Sequence, residues 1–163
     1  MKRGFTLLEV MIAVFLLTVG ITGIFVVITK TISQMINYPD KLIAAYLAQE
    51  GIEIVRNIRD TNWIEGALTW DEDLSPGSYR ADYDDNELTP WTSTIPLSID
   101  TNGLYSYNVT NYSKFYRKIW ISQIVIPGEP VGDYALKVLV DVWWIKKGKQ
   151  ENIKAQENLY NWH

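Results

Sequence analysis

The sequence predicts an α+β protein, a long N-terminal and partly transmembrane α-helix packed on a C-terminal antiparallel β-sheet head. Three observations predict it. Residues 5–29 read FTLLEVMIAVFLLTVGITGIFVVIT, 25 residues in which Glu9 is the only charge. Apolar side chains then recur at helical spacing up to Ile58. Beyond Gly66, short alternating stretches are separated by turn-forming Gly, Pro, Asn and Asp. The helix is expected over residues 5–62, with 5–29 in the membrane and a kink near Pro39, and the head over residues 63–163.

The apolar run comes first. At about 1.5 Å per residue it reaches roughly 37 Å, enough for a hydrocarbon core of about 30 Å. A secretory signal peptide is the rival reading, but its apolar region is usually about 7 to 15 residues and ends at a small-residue cleavage site. Here the run is longer, and Thr29-Lys30-Thr31-Ile32 offers no such site. Lys2 and Arg3 before it place the N-terminus in the cytoplasm and the remainder outside.

Glu9 is not explained by anchoring alone. An acid at the centre of a spanning helix costs roughly 2.5 to 3.5 kcal/mol, and less near an interface. A signal anchor that tolerates one interfacial acid is one account; a carboxylate that meets a buried positive charge on a partner is the other. Met1-Lys2-Arg3-Gly4 followed by Phe5-Thr6-Leu7-Leu8-Glu9-Val10 resembles the processing signal of type IV pilins and type II secretion pseudopilins. The resemblance covers about the first 30 residues closely and the chain layout more loosely. It implies that residues 1–4 are a leader removed after Gly4 by a prepilin peptidase. It also implies N-methylation of Phe5, and docking of Glu9 onto the terminal amine of a neighbouring subunit. The physics agrees. An ammonium and a carboxylate attract strongly in low dielectric, whereas either alone is costly there, so the pair supplies register more surely than net stability.

Gly20 and Gly23 interrupt the run, beside Thr18 and Thr22. Small residues permit close helix approach and hydroxyls can bond across helices. Gly is also simply common in membrane spans, and it weakens a helix enough to allow local unwinding. Pro39 marks a kink or a break, with Asn37 or Tyr38 as the boundary and Pro39 suited to the first turn of a second segment. In that segment Ile43, Leu47, Gly51, Ile54 and Ile58 form a stripe that Leu42, Tyr46 and Val55 widen. Glu53–Arg56 and Arg56–Asp60 are spaced as helical ion pairs, and Asn62 and Gly66 bracket the end.

The head begins with a turn at Ser75-Pro76-Gly77-Ser78 before a strand over 79–83. A second strand is expected over 104–109. Strands over 115–126 and 134–145 flank a hairpin loop at 127–133. Leu136, Val138, Val140, Val142 and Trp144 make one wholly apolar face. A turn at Lys146-Lys147-Gly148-Lys149 leads into a last strand over 151–159.

Composition narrows the chemistry. The absence of Cys removes disulfides, zinc-thiolate sites and thiol catalysis, and the single His163 leaves no His triad or multi-His metal site. No cofactor is expected, and no enzymatic activity. The net charge of −4 argues against nucleic acid as a partner, and it is unevenly spread. Residues 65–100 hold nine acids against Arg80 alone, a balance of −8, while residues 101–163 hold eight bases and five acids, a balance of +3. Within the acidic block, Asp71-Glu72-Asp73 and then Asp82, Asp84, Asp85 and Glu87 are a weak Ca²⁺ candidate against the plainer reading of a solvated acidic face. They lack the ligand spacing and Gly of an EF-hand loop. Seven Trp and ten Tyr admit a sugar-stacking surface, but Trp120, Trp143 and Trp144 lie in strand patterns that favour core or subunit-interface packing. Asn108-Val109-Thr110 and Asn111-Tyr112-Ser113 match glycosylation acceptors, a pattern frequent by chance.

The function these readings point to is a structural subunit, a major or minor pilin of a type IV pilus-like filament. Alternatives are a type II secretion pseudopilin and an adhesin-like binding subunit at the tip. The lack of Cys leans toward a pseudopilin or a minor pilin, and Glu9 leans away from the tip-initiating pseudopilins. The partners implied are other pilin or pseudopilin subunits, a prepilin peptidase, an inner-membrane assembly platform and the membrane itself. The chain is expected in the inner membrane as a single span with its head outside, and then in an extracellular or periplasmic filament.

Overall fold

The structure, a computed structural model, describes residues 4, 6–35, 38–107, 111–128 and 133–161. Phe5, the basic pair Lys2 and Arg3, Asn37, the first glycosylation match at 108–110, residues 129–132 of the hairpin loop, Trp162 and His163 lie outside the described residues. The fold is α+β and pilin-like, and the chain forms two compact units, Met1–Asp40 and Lys41–His163.

In the first unit, α1 (Leu7–Met35) is a helix of 29 residues. It is rich in Leu, Ile, Val and Phe, and its apolar side chains stand exposed all round, Leu7 at 81% and Ile28 at 47%. A helix apolar on every side is stable only when its surroundings are apolar as well. At about 1.5 Å per residue it spans roughly 43 Å, long and apolar enough to cross a membrane.

The second unit is organised around the part of α2 (Tyr38–Glu65) that follows Asp40; the first turn of the helix holds Pro39, where a missing N–H leaves no intrahelical bond unmade. The helix stops because Gly66 takes φ +72°, and the Ala67 N–H then caps the Asn62 carbonyl at 2.9 Å. Its buried face runs through Ala44, Leu47, Ala48, Gly51, Ile52, Ile54, Val55 and Ile58. The expected widening through Leu42 and Tyr46 does not occur, since both are exposed, at 56% and 63%. The stripe broadens on its other flank instead, where Ala44, Ala48 and Ile52 are buried.

That sheet has five antiparallel strands in the order β2-β1-β5-β6-β7. They are β1 (Gly77–Arg80), β2 (Thr89–Pro90), β5 (Phe115–Val125), β6 (Tyr134–Lys146) and β7 (Lys149–Leu159), while β3 (Ser98–Ile99) and β4 (Tyr105–Ser106) form a separate pair. The three long strands are a meander, as their sequence alternation predicts. Val138, Val140 and Val142 are fully buried and Trp144 is 1% exposed, so the apolar face of β6 is the floor of the core. Trp144 packs edge-on against Phe115 at 5.8 Å, and Phe115 against Tyr105 at 6.0 Å. Each such fully buried side chain contributes about 1.5 to 3 kcal/mol.

Three expectations are corrected. The strand over 79–83 begins earlier and ends at Arg80, because Asp82 turns the chain: its N–H is taken by Asp85 Oδ2 at 2.7 Å and its carbonyl by the Asp85 N–H at 3.2 Å. The strand over 104–109 reduces to Tyr105–Ser106 among the described residues. Arg56 pairs with Glu53 and reaches across to Glu157 of β7, both at 2.5 Å, while Asp60 is taken by Arg59 at 2.7 Å. Arg56–Asp60 is spaced as a helical pair, but packing against β7 offers Arg56 a second acid that helical spacing cannot reveal.

Candidate assembly site

The site resembling an assembly signal sits at the start of α1. Thr6 is the N-cap. Its carbonyl accepts the Val10 N–H at 3.2 Å and its Oγ1 accepts the Glu9 N–H at 3.3 Å. Thr6-Leu7-Leu8-Glu9 therefore has the spacing of a capping box, with Glu9 at the third helical position. An acid there also favours the positive end of the helix dipole, by about 0.3 to 1 kcal/mol when exposed. Glu9 is exposed and lies in the first turn. Its carboxylate thus does local work in starting the helix while staying open to a partner. Gly4 lies just ahead, exposed and outside the helix.

Gly20 and Gly23 lie within an unbroken helix, and a Cβ built on either would meet nothing within 4 Å. The hydroxyls beside them are satisfied at home: Thr18 donates to the Val14 carbonyl and Thr22 to the Thr18 carbonyl, both at 2.7 Å. Thr29 and Thr31 repeat the pattern against Phe25 and Val27, both at 2.9 Å. These back-bonds hide hydroxyls within an apolar helix and leave the glycine notches as bare backbone.

In the head, the acidic candidates do not converge. Asp82 is 3% exposed, and its Oδ1 accepts the Tyr107 N–H at 2.7 Å. Burial pushes its carboxyl above the ordinary aspartate range. The Tyr107 hydrogen bond opposes that shift, Asp85 adds to it, Arg117 opposes it and Asp84 adds to it. Asp85 holds the Asp82 N–H, while Asp84 and Glu87 are exposed. Among the described residues no group of three or more such side chains is arranged to hold a metal ion. Asp71 accepts the Tyr134 hydroxyl at 2.5 Å, and this bond, with burial, pushes the phenol up to about 12. Of the tryptophans singled out from their strand patterns, only Trp144 enters the core. Trp120 and Trp143 lie half-buried on the opposite face of the sheet, where Tyr116 stacks on Trp143 at 5.4 Å and Trp91 approaches it at 6.0 Å. Asn111, in the second glycosylation match, is exposed at the edge of the β3 segment, with its carbonyl accepting the Ile99 N–H at 2.9 Å.

Sequence reasoning missed Arg117. Its side chain is fully buried on β5 and joins three elements, donating to Glu50 Oε1 at 2.5 Å, the Ala81 carbonyl at 2.6 Å and the Leu47 carbonyl at 3.3 Å. The signal was available: Phe115, Arg117, Ile119 and Ile121 share one strand parity, and that parity faces the helix.

Residues 1–25 match the prokaryotic N-terminal methylation motif. The chain matches no curated protein and no solved structure.

Proposed function

We propose, from the premise that this chain carries the type IV pilin and pseudopilin signature, that it is a structural subunit of a type IV pilus-like filament, major or minor. A prepilin peptidase cleaves after Gly4, Phe5 becomes the methylated terminus, and the subunit waits in the inner membrane on α1 until an assembly platform extracts it. One observation carries the reading: the motif ends in a helix of 29 residues whose only acid, Glu9, stands exposed at the third position. A carboxylate so placed can be met by the ammonium that cleavage creates four residues earlier on a neighbouring subunit. In low dielectric that pairing sets register. The head's contribution is shape and surface.

A second reading, a type II secretion pseudopilin, is supported by one observation that fits a minor pilin equally. The chain has no Cys and so no disulfide-bounded C-terminal loop of the kind many pilins carry. The experiment for the shared part is intact-mass analysis after co-expression with a prepilin peptidase. The expected product has lost residues 1–4 and gained one methyl group on Phe5. A chain that keeps Met1 overturns both readings. Deletion of the gene then separates them, through loss of a surface pilus or loss of protein secretion.

A further inference from the structure

The sheet face turned away from α2 is basic and aromatic. Strand alternation puts Lys118 and Trp120 of β5, Lys137, Asp141 and Trp143 of β6, and Lys154 of β7 on it. Three lysines against one carboxylate make this patch positive in a chain whose net charge is −4. At its centre the Lys118 ammonium lies 4.4 Å from the Trp120 ring centre and 5.5 Å from that of Trp91. Its cross-strand neighbour Asp141 is engaged elsewhere, by Lys154 at 3.6 Å and by Asn152 at 2.9 Å. Among the described residues Lys118 makes no ion pair. Two indoles remove water from part of a cation that makes no ion pair among the described residues, and such a cation gains when a carboxylate arrives.

The complementary charge is on the same chain. The segment 65–100 carries the −8 balance. In its β1–β2 turn, Asp82 and Asp85 are spent on backbone N–H groups. Asp84 and Glu87 are exposed and make no hydrogen bond or ion pair among the described residues. The strand order places this turn at the β2-β1 edge of the sheet, while the lysine face extends over β5, β6 and β7 toward the opposite edge. Two different patches that fit each other make a heterologous contact, and a heterologous contact that does not close into a ring repeats as an open helical filament.

We propose that the basic aromatic face of one copy receives the acidic β1–β2 turn of a second copy, with Lys118 opposite the carboxylates of Asp84 and Glu87. This rests on the filament reading and adds a contact between heads to it. The test uses the natural absence of Cys. Asn86→Cys in the turn and Gln156→Cys on the lysine face leave all three charged groups in place. Filaments built from the full-length double variant are treated with a short bis-maleimide and analysed under denaturing conditions. A ladder of cross-linked multimers is expected from the double variant and not from either single one. Adding Lys118→Glu should abolish the ladder, and adding Glu87→Lys to that variant should restore it. Monomers alone from intact filaments would overturn the contact while leaving the filament reading in place. A dimer from Gln156→Cys alone would show a face-to-face contact instead. An adduct with a different, cysteine-bearing subunit would give the face another occupant, and a ladder that survives Lys118→Glu would remove the charge pairing. Each of these outcomes overturns the proposal. A correctly cleaved chain that enters no filament would overturn the filament reading and this contact together.

Discussion

Arg117 of β5 and Glu50 of α2 are joined at 2.5 Å across the core, the arginine fully buried and the glutamate side chain 34% exposed. The two ends of the bond are therefore unequal. Water can still reach the carboxylate, which weakens the ionic part of the pair. The guanidinium has only protein around it, and Nε finds no hydrogen-bond partner among the described residues. Arg117→Ala should cost about 3 to 5 kcal/mol, since it opens a cavity and strands the Ala81 and Leu47 carbonyls, while Glu50 can turn to water. Glu50→Ala should cost a comparable amount, about 3 to 5 kcal/mol, since it leaves the guanidinium buried without a counter-charge. Urea denaturation of the full chain in detergent, followed by Trp fluorescence, measures both, and a Glu50→Ala cost below about 1 kcal/mol would contradict the buried guanidinium's need for that carboxylate.

Gly51 faces Val140 where α2 crosses β6. A Cβ there would lie 2.9 Å from Val140 Cγ1 and 3.4 Å from Arg117 Cδ. Helix propensity alone favours Ala over Gly by about 1 kcal/mol, but overpacking a well-filled core costs about 1 to 3 kcal/mol. Gly51→Ala should therefore be destabilising by roughly 1 kcal/mol. Val140→Ala should remove the clash, so the double variant is more stable than the two single costs added together. Simple additivity in that cycle would show that the helix shifts instead.

The β6–β7 hairpin turns through Lys147 at φ 49° and Gly148 at φ 75°, with Lys146 paired to Lys149. Two positive φ values in a two-residue loop are what a type I′ turn requires, and Asn adopts the first far more readily than Lys. Lys147→Asn should raise stability by about 0.5 to 1 kcal/mol, read as a higher urea midpoint. An unchanged midpoint would mean that the turn is not strained by lysine.

Asp82 gives stability a pH dependence of defined sign. Its folded pKa is raised, chiefly by burial, so the folded state holds the proton more tightly than the unfolded one. The favourable contribution is fully present below the unfolded value, about 3.9, and is lost as pH rises through the folded value. Asp82→Asn keeps an oxygen for the Tyr107 N–H but cannot ionise. Its stability relative to the unchanged chain should improve as pH is raised from about 4 to about 7. Denaturation series across that range would show a trend of opposite sign if burial were not the dominant cause.

Glu9 stands at the third position of α1 behind the Thr6 cap, and the proposed assembly reading gives its charge a docking role as well. Glu9→Gln retains a residue suited to the capping box but removes the carboxylate. We expect that variant to insert, to be cleaved and to keep α1 helical by circular dichroism, yet to be missing from filaments. Glu9→Ala should fail to assemble as well, with a small additional loss of helix at the first turn, about 0.3 to 1 kcal/mol. Normal assembly by Glu9→Gln would reject the docking role.

Sequence alone determined the features that depend on near neighbours. The apolar block at 5–29, the Thr6–Glu9 spacing, the Gly66 stop of α2 and the alternation of β5, β6 and β7 are local patterns, and a helix or strand with one apolar face must form much as the pattern dictates. Only the tertiary structure decided which flank of α2 is buried: Ala44 and Ala48 are on it, and Gly51 beside them faces Val140 of β6. It also decided the partners of the charges. Arg56 finds Glu157 and Arg117 finds Glu50 across separations of 101 and 67 residues, and no spacing rule reaches that far. The opening between the two kinds of knowledge is widest in the head, where parity assigns each side chain to a face and packing alone determines what that face meets.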